Sequence, residues 1–205
     1  MSVPGRPLLV SRNMTCGTPS LGDLLLKRNY AAMLDRQVEM RRSFGLAFYE
    51  PHYKQDLFHR DALYQARYGR TGNRFGKSIM GAAEDCSWAL GYRPFYQRPF
   101  NIIDGKGRVR RVHDPVADEE LIYRGIPQRS VKGLIIVNDW KKVEEVFTCR
   151  IEGEAMGKLF KLLPRDKIKD VESEQGNICT LHIESIWGGV STIKLTTITS
   201  FKTNK

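Results

Sequence analysis

The sequence predicts an α/β domain, and two features carry that expectation. Gly133-Leu134-Ile135-Ile136-Val137 is a β-branched, continuous run bounded by Gly133 and Asn138, which predicts a central strand covered on both faces. A second candidate strand at 66–71, weakened by Arg67 and Arg70, precedes a glycine-containing turn and then a helical pattern from Gly76 to Leu90. In that pattern Ile79, Met80, Ala83, Cys86, Ala89 and Leu90 recur at helical spacing, and Gly91 ends it.

The remaining elements follow in chain order. Residues 1–19 carry Pro4, Gly5, Pro7, Gly17 and Pro19 without periodicity and read as an irregular arm. Ser20 with Asp23 three residues on resembles a capping box, and Leu24, Leu25, Tyr30, Met33, Leu34, Val38 and Met40 form a stripe of roughly helical spacing. This predicts a packing helix with Arg41 and Arg42 at the favourable end of its dipole, stopped by Gly45. A short helix is expected from His52 to about Leu63, with Leu57 and Phe58 inward. Residues 92–130, with Pro94, Pro99, Pro115 and Pro127, are the least regular stretch. Gly105-Lys106-Gly107 predicts a tight turn there, and the following Arg108, Arg110 and Arg111 read as a solvated cluster. Helical patterns follow at about 140–147 and 154–163, closed by Pro164. Two alternating strands then run over Ile178–Ile186 and Ser191–Phe201, joined across Trp187-Gly188-Gly189.

Composition bounds the function. The 205 residues suffice for one substantial domain, and 41% hydrophobic with 27% charged residues excludes a disordered chain. No run approaches the ~18 apolar residues of a membrane span, and the first twenty residues lack a signal-peptide core, so the chain reads as soluble and intracellular with no membrane partner. A net charge of +10 suits a polyanionic partner, nucleic acid or phosphorylated ligands. The four cysteines, Cys16, Cys86, Cys149 and Cys179, are scattered without metal spacing; Cys86 and Cys149, in predicted helices, read as buried free thiols.

The most informative stretch is Thr71-Gly72-Asn73-Arg74-Phe75-Gly76-Lys77-Ser78. Its last three residues match the end of the phosphate-binding pattern G-x-x-x-x-G-K-[ST], in the required strand–turn–helix context. Gly76 lets backbone N–H groups turn toward phosphates, and the new helix directs its positive end at them. Lys77 would reach the β and γ phosphates of ATP, and the Ser78 hydroxyl would ligate Mg²⁺. Thr71 departs from the pattern, which places a glycine at that position; Gly72 lies one residue later.

With Pro51-His52-Tyr53-Lys54-Gln55-Asp56-Leu57-Phe58-His59 before it, and Gly81-Ala82-Ala83-Glu84 and Leu90-Gly91-Tyr92-Arg93-Pro94 after it, this stretch resembles the start of the ATPase domain of tailed-phage terminase large subunits. The resemblance spans residues 48–94 and is looser over 131–205. It implies a P-loop NTPase-type sheet flanked by helices, with an irregular arm at 1–19, a helical lead-in at 20–47 and the nucleotide-binding domain at 48–205. Gln55 would read the adenine edge, Tyr49 would stack on it, and Arg74 would meet charge on the γ-phosphate. The implied activity is a motor that couples ATP hydrolysis to translocation of double-stranded DNA into a capsid. The small terminase subunit and the capsid portal would be its partners, a homo-oligomer its working form, and the cytoplasm of the infected host cell its location.

One part of the family's pattern is missing. The acidic strand motif, four apolar residues and then Asp-Glu, is approached only by Leu134-Ile135-Ile136-Val137-Asn138-Asp139, where Asp139 reads instead as a helix N-cap. Glu172, Glu174 and Glu184 read as solvated rather than as nuclease ligands. The expectation is an incomplete domain, an N-terminal portion without nuclease activity and with little turnover. Two alternatives stand beside the packaging motor: a helicase-like ATPase stimulated by nucleic acid, and a non-catalytic module that binds DNA or capsid with a degenerate P-loop.

Overall fold

The computed structural model describes residues 21–62, 76–98, 100–104, 106–113, 119–148, 150–151, 154–155, 157–174 and 177–198. The architecture is mixed α/β, with a four-stranded sheet flanked by helices. The expected arm at 1–19, the strand at 66–71, Cys16, Cys149 and the Phe201 end of the last strand lie outside the described residues.

The chain divides into two units, residues 1–37 and 38–205. The first helix, α1 (Leu21–Ser43), has no buried residue. Of its predicted stripe, Leu24, Leu25, Tyr30, Met33, Leu34, Val38 and Met40 are all exposed, so burial does not follow the spacing.

In the second unit the helices are α2 (Tyr53–Arg60) and α3 (Lys77–Leu90), followed by a hairpin of β1 (Phe100–Ile103) and β2 (Val109–His113) and a short α4 (Glu119–Tyr123). The hairpin makes the 92–130 region more regular than its prolines suggest. Its turn is held by the Asp104 carboxylate, which accepts from the N–H groups of Lys106 (2.9 Å) and Arg108 (3.0 Å), with Gly107 at φ +74°. Side chains of this type favour turns because they offer the backbone a local partner.

β3 (Lys132–Val137) leads to α5 (Trp140–Val143), a π-helical turn at Glu144–Thr148, the two-residue strands β4 (Arg150–Ile151) and β5 (Glu154–Ala155), and α6 (Lys158–Leu162). The helix expected at 154–163 therefore starts later, after a strand pair. The sheet closes with β6 (Ile168–Glu174), which the sequence reading did not anticipate, β7 (Asn177–Glu184) and β8 (Val190–Thr197). The order is β3-β8-β7-β6, with β3 parallel to β8 and the other pairs antiparallel.

Two positions correct the sequence expectation. Among the described residues β3 pairs only with β8, and Leu134 and Ile136 are 48% and 44% exposed, so one face of this strand is open rather than covered. The central role falls to β8, whose Ser191, Ile193 and Leu195 are buried. β6, last in the described order, carries Lys169, Asp170 and Glu172, charges that discourage further pairing. On α2, Leu57 points to solvent and the inward residues are Gln55, Asp56 and His59. A polar face can turn inward because each of these side chains finds a partner there, as detailed below.

α3 is the spine of the core. Ala82, Ala83, Cys86, Ala89 and Leu90 are essentially inaccessible and pack in one cluster with Leu159 and Leu163, and with Leu181, Ile183, Ile193 and Leu195 of the sheet. Small residues on this face let helix and sheet approach closely; Cys86 is a free buried thiol, as expected.

The end of α3 is tied to the β7–β8 hairpin. Gly91 caps the helix at φ +92°, Ile186 N–H donates to Leu90 O (3.0 Å), and Trp187 Nε1–H donates to Gly91 O (2.8 Å). A Cβ on Gly91 would lie 2.5 Å from Trp187 Cδ1. Gly91→Ala is therefore expected to destabilise the protein by about 2–3 kcal/mol in urea unfolding, combining left-handed backbone strain with the lost indole bond.

Candidate functional site

Two of the predicted site residues, Gln55 and Gly76, meet where α2 approaches the start of α3. Gly76 sits at the N-cap of α3 in the left-handed region (φ +80°), a conformation that glycine takes without the usual Cβ cost. The helical ladder begins with Ile79 and Met80, whose N–H groups both donate to Gly76 O (3.1 and 3.0 Å). The N–H groups of Lys77 and Ser78 precede that ladder, at the positive end of a 14-residue helix. Lys77 is exposed, and Ser78 is half-buried.

Gln55, distant in sequence, is brought directly against this glycine. Its Nε2 is 3.5 Å from Gly76 O, and a Cβ on Gly76 would meet that nitrogen at 2.7 Å. Its Oε1 accepts from His52 N–H (3.1 Å), one half of a capping box that starts α2. Gln55 is 4% exposed, so its amide is engaged within the chain on both sides. The adenine-reading role implied by the resemblance would require the amide to exchange these partners for a base.

Tyr49 is also committed inward. Its ring lies edge-on to His59 (5.6 Å between centroids) and to Phe95 (5.2 Å), and its hydroxyl is 3.2 Å from His59 Nε2. Burial, with the charges of Glu84 and Asp56, pushes its phenol well above the ordinary range. Thr71, Gly72, Asn73, Arg74 and Phe75 lie outside the described residues.

A buried polar network that sequence reasoning missed holds α2 to α3. Glu84 accepts from His59 Nδ1–H (2.8 Å) and from Arg93 Nε–H and Nη2–H (3.3 and 3.1 Å). Arg93, fully buried, also donates through Nη1–H to Arg124 O (2.6 Å), joining α4 to the assembly. One turn back on α2, Asp56 accepts from the Tyr96 hydroxyl (2.8 Å) and pairs with Arg60. Desolvation is the largest reason that the Tyr96 phenol is raised, followed by the Asp56 charge. The available signal was the helical spacing of Asp56 and His59 with Arg60, but their partners Glu84, Arg93 and Tyr96 are supplied only by the fold.

The remaining acidic candidates separate cleanly. The Asp139 carboxylate accepts from Lys142 N–H (2.8 Å), the N-cap role expected for it. Glu172 accepts from His182 (2.9 Å) and Glu184 pairs with Lys169 (2.8 Å) on the surface, solvated as anticipated. For Glu172 this hydrogen bond is the main cause of a lowered pKa. Among the described residues no group of three His, Cys, Asp or Glu side chains has metal-ligand geometry, and no helix is long and apolar enough to cross a membrane.

Comparison with protein-family models, curated proteins and solved structures finds no match.

Two neighbouring carboxyls on α3 generate opposite expectations. Removing Glu84 leaves buried Arg93 without its counter-charge, so Glu84→Ala should cost about 3–5 kcal/mol in denaturant unfolding, with Glu84→Gln recovering part of it. Asp85 is raised to about 7, chiefly by burial and then by the Glu84 charge. Its folded pKa exceeds its unfolded one, so its stability contribution is full below about pH 4 and is lost as pH rises through 7. Asp85→Asn should then match the parent near pH 4 and exceed it above pH 7, by on the order of 3 kcal/mol, read from unfolding midpoints across that range.

Proposed function

We propose that this chain is the nucleotide-binding portion of an ATP-driven motor that acts on double-stranded DNA, of the terminase large-subunit kind. The observation that carries the reading is the placement of Gly76-Lys77-Ser78. The glycine occupies the left-handed N-cap of α3, and the two following residues open that helix.

The local chemistry suits a magnesium nucleotide. A phosphate would meet the helix's positive end and the Lys77 ammonium, while the Ser78 hydroxyl offers the single protein oxygen that Mg²⁺ commonly takes alongside water and phosphate ligands. Bound there, Mg–ATP supplies a phosphoanhydride whose hydrolysis releases the energy for movement. Gln55, wedged against Gly76, positions the turn, and the Glu84 network keeps α2 at a fixed distance from α3. Arg74 remains the proposed contact to the γ-phosphate. Asp139 is spent on capping α5, so these residues provide binding and charge neutralisation, and turnover is expected to be low. In this reading double-stranded DNA, the small subunit, the portal and further copies of the chain are the partners, in the cytoplasm of the infected host cell. The basic net charge of +10 fits a polyanion among them.

Titration of a fluorescent ATP analogue with Mg²⁺ tests the reading, with phosphate release followed in the same samples. Saturable binding is expected, weakened at least about tenfold by Lys77→Ala, a loss of ~1.4 kcal/mol or more, with little phosphate released. Affinity that ignores Lys77→Ala, or no binding at millimolar nucleotide, would overturn it and favour a binding module without turnover.

A further inference from the structure

A second recess lies at the opposite end of α3 and belongs to none of the machinery above. Trp88 is about 15 Å along the helix axis from Ser78, from ten residues at the α-helical rise. Here Asp85, Trp88 and Ala89 face the segment that leads into β3, with Ile193 of β8 between them, around a cleft of about 430 Å³. That volume lies within the ordinary range for small-molecule sites.

The far wall is fixed rather than loosely apposed. Val131 N–H donates to Ser191 Oγ (3.0 Å), and Thr192 N–H donates to Val131 O (2.8 Å), so the segment is clamped to the central strand just where it lines the cleft. On this wall Arg129 and Lys132 are exposed and line the cleft. Neither forms an ion pair with Asp85, whose carboxyl has no charged partner among the described residues. Trp88 Nε1–H is buried and without an acceptor.

The distribution of groups defines the complementary molecule. Trp88, Ala89 and Ile193 favour a flat apolar body removed from water. The Asp85 carboxyl offers a hydrogen bond to the edge of a polar ring. Arg129 and Lys132 together favour an anionic group. From this arrangement we propose that the cleft between α3 and the start of β3 binds an aromatic anion of nucleoside-monophosphate size, with the ring against Trp88 and the anionic group at Arg129 and Lys132. The site is independent of the phosphate cradle at Gly76–Ser78, and the proposal stands whether or not that cradle binds ATP.

The indole N–H resonances of the ¹⁵N-labelled protein provide the test. The chain has three tryptophans, and Trp88→Phe identifies the signal concerned. Titration with AMP should move the Trp88 resonance saturably, with adenosine at least about tenfold weaker and inorganic phosphate without effect up to about 10 mM. The double variant Arg129→Gln/Lys132→Gln changes only exposed side chains and should weaken AMP at least about fivefold, whereas Lys77→Ala should leave the response intact. A 5′-phosphorylated tetranucleotide run beside AMP separates a strand end from a free nucleotide as the source of the ligand. The proposal fails if AMP leaves the Trp88 signal unmoved, if AMP and adenosine bind equally, if the double variant binds AMP as the parent does, or if Lys77→Ala abolishes the shift.

Discussion

Glu84 is one carboxylate on the inward face of α3, and two other parts of the chain converge on it. His59 reaches it from α2, and Arg93 reaches it from beyond the helix end while also holding the carbonyl of Arg124 past α4. All three side chains are almost wholly buried, so solvent screens the charges little and each depends on the others for its place. A buried ion pair of this kind adds modestly to net stability, because desolvating the ions offsets most of the attraction. In geometry, it ties His59 of α2 and Arg93 beyond α3 to a single point on α3.

The rest of the candidate site inherits that geometry. With α2 held by His59 and Asp56, Gln55 on the same inward face is directed at Gly76, where the helix must begin in a left-handed turn. At the other end Gly91 makes the second left-handed turn, and the Trp187 indole seals it. α3 is thus pinned at both termini by glycines that cannot be replaced without a clash, and its small residues bring it down onto β7 and β8. This is a rigid element whose two ends carry different chemistry. One presents a positive helix terminus with Lys77 and Ser78, and the other presents a cleft with a raised carboxyl.

The sheet has a similar asymmetry. β7 and β8 are sequestered, while β3 leaves Leu134 and Ile136 open and β6 protects itself with charge. Charged side chains along β6 discourage pairing with a further strand.

Local signals made part of this legible in the sequence. α3 with its buried positions, the cap at Gly91, the Asp139 N-cap and the β7–β8 hairpin across Gly188 and Gly189 all follow from short-range periodicity and turn chemistry, which act over a few residues. The start of α3 at Gly76 was likewise readable, because its conformational demand lies within one turn of chain. Burial was not. The stripe residues of α1 are exposed, Leu57 turns outward, and the β-branched run at 133–137 leaves Leu134 and Ile136 open, since spacing tells which residues share a face but not whether anything covers it. The partners of Glu84, the approach of Gln55 to Gly76 and the cleft beside Trp88 were decided by tertiary structure alone. Each depends on residues from separate segments meeting at distances of a few ångströms, and no local pattern encodes that meeting.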